Sequence, residues 1–142
     1  MPSTDYLREN FQGSQIDHVN VTVTDVPAAI AVWEPALATL GIRKLLDFPA
    51  PADGSRPHMT GFGSDRKPSF WLVAGDVVDP NLHIAFTAPS REHVRRFHEA
   101  ALHAGARNKL DPAVHTEYHE NYYGAFVLDP DGINLEAVCH IE

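Results

Sequence analysis

The chain has 142 residues, 44% hydrophobic and 21% charged. These are the proportions of a globular domain, and no run approaches the ~18 to 20 consecutive apolar residues of a membrane span. Lys and Arg number 11 against 19 Asp and Glu, and the net charge of −8 would repel a phosphate backbone unless the cations were gathered on one face. Arg91, Arg95 and Arg96 are instead interleaved with Glu92 and Glu99, the pattern of a solvated helix face, so neither nucleic acid nor membrane is an expected partner.

Residues 1–14 are polar and aperiodic and read as a tail or arm. They carry no basic segment followed by an apolar core, which makes the cytoplasm the expected compartment. Ile16 to Val23 alternates cleanly, Val19, Val21 and Val23 against His18, Asn20 and Thr22, and predicts a half-buried strand. Asp25 is an N-cap for a helix whose apolar face is Ala29, Ile30, Trp33, Leu37 and Leu40, stopped by Gly41. Pro35 inside it predicts a kink or a late start. Ile42 to Phe48 is a second strand, residues 49–55 a Pro/Gly loop, and Arg56 to Phe62 and Ser69 to Val73 two more strands.

After a linker at 75–81 the order recurs. A strand at 82–88 precedes N-cap Ser90, then a helix to about Ala104 with Val94, Phe97, Ala101 and Leu102 inward, stopped by Gly105. A weak strand near Arg107 leads into a polar and aromatic loop through Tyr122. Tyr123 to Leu128 and Ile133 to Cys139 then flank the turn Asp129 to Gly132. One offset of 65 residues maps His18 onto His83, Phe62 onto Val127, Phe70 onto Leu135 and Trp71 onto Glu136. The predicted fold is α+β, one domain over 15–142 made of two tandem β-α-β-β-β modules (about 15–75 and 81–142) with curled mixed sheets enclosing a metal-binding cavity. Halves of ~65 residues are too small to be stable alone and are expected to share a core.

Alternation also decides which way the polar residues face. Leu82, Ile84 and Phe86 form the set a helix covers and leave His83 opposite; Leu135, Ala137 and Cys139 do the same for Glu136, and Val19, Val21 and Val23 for His18. Two imidazoles and one carboxylate on equivalent inward positions make a ligand set for a divalent cation with open positions, suited to Fe(II), Zn(II), Ni(II) or Mn(II). The bland alternatives are strand histidines that are merely hydrogen-bonded and a solvated Glu136.

At Ile16 to Val23, Leu82 to Ser90 and Ala125 to Val138 the sequence resembles the vicinal oxygen chelate superfamily, the group of glyoxalases, bleomycin-resistance proteins and extradiol dioxygenases. The resemblance spans about residues 15–140. It implies sheets closed round a divalent metal, with ligands from the first and fourth strand of each module, here His18, Trp71, His83 and Glu136. Trp71 cannot ligate. It stands where glyoxalase I has a second Glu, which removes the proton-shuttling carboxylate of that enzyme.

The expected function is a divalent-metal glyoxalase- or dioxygenase-like enzyme that chelates a small substrate through vicinal oxygens, by lyase, isomerase or ring-cleaving oxygenase chemistry. The alternative is a metal-free binding or drug-sequestering resistance protein of the same fold. Tyr123, His58 and His119 are the candidate acid–base residues. Trp71, Tyr118 and Tyr122 are candidate substrate contacts favouring a planar or aromatic molecule, against the plainer reading in which the tyrosines only pack. Exposed sheet edges and the resemblance together lead us to expect a homodimer, with the site formed within one chain or across two.

Overall fold

The structure is a computed structural model that describes residues 16–76 and 78–142, so the expected N-terminal arm lies outside the described residues. Among the described residues eight strands and two helices follow in the order β1 (Val19–Val23), α1 (Val26–Ala38), β2 (Arg43–Phe48), β3 (Met59–Gly63), β4 (Phe70–Ala74), β5 (His83–Thr87), α2 (Arg91–His103), β6 (Arg107–Val114), β7 (Tyr123–Leu128) and β8 (Asn134–Cys139). They form two four-stranded sheets, β1-β4-β3-β2 and β5-β8-β7-β6. In each the first and fourth strands are parallel and the other pairings antiparallel. The tandem β-α-β-β-β architecture is therefore present.

The expected offset is reproduced in the hydrogen-bond register. Asn20 pairs with Trp71 as Ala85 pairs with Glu136, and Phe62 pairs with Phe70 as Val127 pairs with Leu135. It slips by one residue at the outer strands: Lys44 opposes Phe62, whereas Asn108, not Lys109, opposes Val127. A bulge restores it, because Asp111 and Pro112 together span the step between the pairs Leu110–Phe126 and Ala113–Gly124. The same bulge explains why β6 continues to Val114 where a weak strand and a loop were expected. Pro112 has no N–H to offer a ladder and sits where none is required, on an edge strand.

Both helices start on the expected caps. The Asp25 side chain accepts from Ala28 N, and Ser90 Oγ accepts from His93 N. Gly41 (φ 75°) and Gly105 (φ 104°) turn the chain out of each helix through the left-handed region. Pro35 does not delay the start of α1. The helix runs on from Val26 to Ala38 because Trp33, Ala36 and Leu37, on either side of the proline, are fully buried.

One hydrophobic cluster runs through both modules, from Val21, Trp33 and Phe62 to Phe97, Ile133 and Leu135. Phe70 of β4 meets Phe86 of β5 at 5.5 Å between centroids. The turn after β7 reaches across: Asp129 Oδ2 accepts from the Trp33 indole N–H at 2.9 Å, and Asp131 accepts from Thr24 N and Oγ1. The modules are thus joined through helices, core and turn, and their sheets stay open within the chain instead of closing round a cavity. The uncovered faces of these sheets carry His18, Trp71, His83 and Glu136.

Candidate functional site

On the second module, strand alternation places His83, Glu136, Phe126 and Gly124 on the face away from α2. Ala125, Val127, Leu135 and Ala137 point into the core and are completely buried. Glu136 is also completely buried, and its two oxygens are both engaged. Oε1 faces His83 Nε2 at 2.8 Å, and Oε2 accepts the Tyr122 hydroxyl. Gly124 makes this packing possible: a Cβ there would lie 3.0 Å from Glu136 Oε2 and 3.2 Å from Tyr122 Cε1. Burial, reinforced by the adjacent Glu136, pushes the Tyr122 phenol well above its ordinary value, so it remains a donor.

The loop between β6 and β7 surrounds this pair with rings. Tyr122 N donates to His119 O, and Tyr122 O accepts from His115 N. His119 Nδ1 accepts from Asn121 N, which fixes the proton on Nε2, and Nε2 donates to His140 Nδ1 at 2.6 Å. The His119 and His140 rings stack, and both meet Tyr122 edge-on. His115 bonds Glu117 through Nδ1 and packs edge-on against Phe126, while its Nε2 is buried without a partner. Tyr118 lies 4.8 Å from Tyr122 between centroids and is 63% exposed, at the mouth of the group.

On the first module the equivalent face carries an open cleft of about 470 Å³ lined by Asp17, His18, Asn20, Met59, Lys67 and Trp71, with Pro68 at its edge. Trp71 is half-buried and stacks on Phe48 (6.0 Å, 15°). His18 is exposed, with Nδ1 on Asp17 Oδ1 at 2.8 Å, and Asp17 in turn receives Lys67. These two partners, Lys67 foremost, hold the Asp17 carboxyl below its ordinary range.

Of the three expected metal ligands, the chain brings His83 and Glu136 together and leaves His18 on the other module. Among the described residues no group of three or more His, Cys, Asp or Glu side chains could hold a metal ion. The expected three-ligand site therefore does not form within one chain among the described residues. His83 Nε2 and Glu136 Oε1 do fit a cation as a half-set: one imidazole nitrogen and one carboxylate oxygen, 2.8 Å apart. Two adjacent ligands with bonds of about 2.0–2.2 Å are separated by roughly 3 Å. His18, at the matching position of the first module, is the remaining donor of the right kind.

The expected acid–base residues separate. His119 stands beside Tyr122, as described. Tyr123 pairs with Cys139 and points to the helix side, under the guanidinium groups of Arg91 and Arg95 (5.1 and 5.8 Å from its ring). His58 precedes β3 in phase with the buried Thr60 and Phe62, and its Nε2 is held by Asp47 at 2.7 Å. Both were expected to face the site and lie instead on the opposite parity. The rings sequence reasoning missed are His115, His140, Phe126 and Phe48. His140 was readable, being four residues beyond Glu136 and so in its phase; His115 was not, since a loop has no period.

A family model described as Glyoxalase/Bleomycin resistance protein/Dioxygenase superfamily matches residues 15–137. Among solved structures, a glyoxalase/bleomycin resistance protein from Albidiferax ferrireducens is 24% identical with a TM-score of 0.67, covering 89% of this chain and 98% of that one. A putative glyoxalase from Bacillus halodurans is 25% identical with a TM-score of 0.58, covering 91% and 97%. A mutant of the fosfomycin resistance protein FosX from Listeria monocytogenes, complexed with Mn(II) and 1S,2S-dihydroxypropylphosphonic acid, is 16% identical with a TM-score of 0.62, covering 88% and 89%. Comparison with curated proteins finds no match.

Proposed function

This chain belongs to the Glyoxalase/Bleomycin resistance protein/Dioxygenase superfamily, and on that footing we propose that it is a divalent-metal enzyme acting on a small molecule held through adjacent oxygens. His83 and Glu136 of one subunit and His18 of a second are its ligands. The observation that carries the reading is the 2.8 Å approach of His83 Nε2 to a carboxylate that is itself completely buried. A carboxylate out of water is costly to keep ionised and needs compensating partners. An imidazole and a phenol supply two; a cation would supply the strongest.

The cleft beside His18 is the complementary half. It offers Trp71 and Phe48 as an apolar wall for a planar substrate, with Asn20, Asp17 and Lys67 at its rim. Facing the open sheet of one subunit toward that of another would add His18 to the pair and bury exposed Leu46, Phe48 and Leu110. A bound cation would supply Lewis acidity to the chelated oxygens. The chain's own residues would hold the substrate against Trp71 and exclude water with the Tyr118–Tyr122 loop. His119, which shares its Nε2 proton with His140 through a hydrogen bond, is the residue we assign to proton transfer. The FosX structure, with Mn(II) and a molecule bearing two hydroxyls, is consistent with this chemistry on the fold.

The competing reading, a metal-free binder, is favoured by one observation: among the described residues no three-ligand group forms within the chain. The two are separated by metal analysis of the purified protein after incubation with Mn(II) or Fe(II) and desalting. The enzyme reading requires retained metal in the wild type and loss of most of it in Glu136→Ala. No metal retained by the wild type would favour the binder, and equal retention in both proteins would remove Glu136 from the ligand set.

A further inference from the structure

We propose that Tyr122 is a positioning residue: by donating its hydroxyl to Oε2 of Glu136 it fixes the carboxylate so that only Oε1, the oxygen facing His83, is presented to a ligand. The inference rests on the metal reading above and extends it. A buried carboxylate with no such partner can turn about its last torsion and offer either oxygen or both. Here Oε2 is taken by the phenol and Oε1 lies 2.8 Å from His83 Nε2.

The phenol is itself held on every side. Its backbone is bonded to His119 O and His115 N, and its ring meets His119 and His140 edge-on at 5.5 and 5.4 Å. The hydrogen bond from His119 Nε2 to His140 Nδ1 ties this loop to the residue that follows β8, the strand that carries Glu136. The absent Cβ of Gly124 leaves the room that the pair occupies. Outer partners of this kind orient ligands and tune a site without touching the ion.

A chemical consequence follows for the reaction. With both oxygens committed, Glu136 is not a mobile base, and its counterpart on the first module is Trp71. Neither equivalent position then offers a carboxylate to shuttle a proton.

The test is Mn(II) titration of the wild-type protein and Tyr122→Phe, with free Mn(II) read by electron paramagnetic resonance. Far-ultraviolet circular dichroism confirms that the two share a fold. The expected result is a Kd weakened by about 10- to 100-fold in Tyr122→Phe, with an altered spectrum of the bound ion. His119→Ala, which keeps the hydroxyl but frees the loop, should weaken binding in the same direction by less. Wild-type binding with Tyr122→Phe within about twofold of it overturns the role of Tyr122 and leaves the metal reading standing. No Mn(II) bound by the wild type overturns both.

Discussion

Asp129 shows what a single buried side chain contributes to this fold. It is almost completely buried in the turn after β7, with Oδ2 accepting from Trp33 and Oδ1 from the backbone N–H groups of Asp131 and Ile133. Burial raises its carboxyl above the ordinary value, and these hydrogen bonds only partly oppose the shift. A carboxyl whose folded value exceeds its unfolded value adds stability that is complete below the unfolded value, about 3.9, and is lost as pH rises through the folded one. Asp129→Asn keeps the shape but offers one acceptor oxygen for three donors, and should cost about 1–3 kcal/mol. The stability advantage of the wild type over this variant should be larger at pH 4 than at pH 7 in chemical denaturation followed by Trp fluorescence. An advantage that grows with pH would contradict the assigned shift. The side-chain partners of the site were legible only in part at this scale. His83 and Glu136 followed from alternation, because each sits among residues of one apolar set. The facing of Tyr122 and Tyr123 was not legible, because Ala125 to Leu128 are all apolar and alternation there sets no phase.

At the scale of elements, caps, glycine stops and the turn at Asp129 to Gly132 are local chemistry and were readable residue by residue. Where the sequence misled, long-range pairing had overridden local preference. The edge strand β6 absorbs Pro112 in a bulge that only its partner β7 reveals. Helix α1 keeps Pro35 because burial of Trp33, Ala36 and Leu37 outweighs the hydrogen bond lost to Ala31. Pro35 is exposed on the outer side of α1, so Pro35→Ala restores that bond without disturbing the core. It should stabilise the protein by about 1–3 kcal/mol, seen as a higher midpoint of thermal unfolding. An unchanged or lower midpoint would mean that the proline's restriction of the unfolded chain dominates.

For the whole molecule, duplication explains both what the sequence conveyed and what it withheld. An internal offset predicts that equivalent positions face equivalent ways, and the register of both sheets bears this out. It does not say whether two equivalent faces of one chain confront each other. In this chain the modules join through Trp33, Phe70, Phe86 and the turn at Asp129, which leaves both faces open and His18 apart from His83 and Glu136. On the proposed reading, the folding of the chain and the completion of its site are separate steps, the second requiring another subunit.

A hybrid dimer measures that requirement directly. Subunits carrying His18→Ala and subunits carrying Glu136→Ala, distinguished by different affinity tags, are purified as a mixed dimer and assayed for bound Mn(II). Each parent homodimer should bind essentially none, while the hybrid should regain about half the wild-type content, since one of its two sites draws His83 and Glu136 from one subunit and His18 from the other. A hybrid as empty as its parents, beside a wild type that holds the ion, would contradict a site shared between chains.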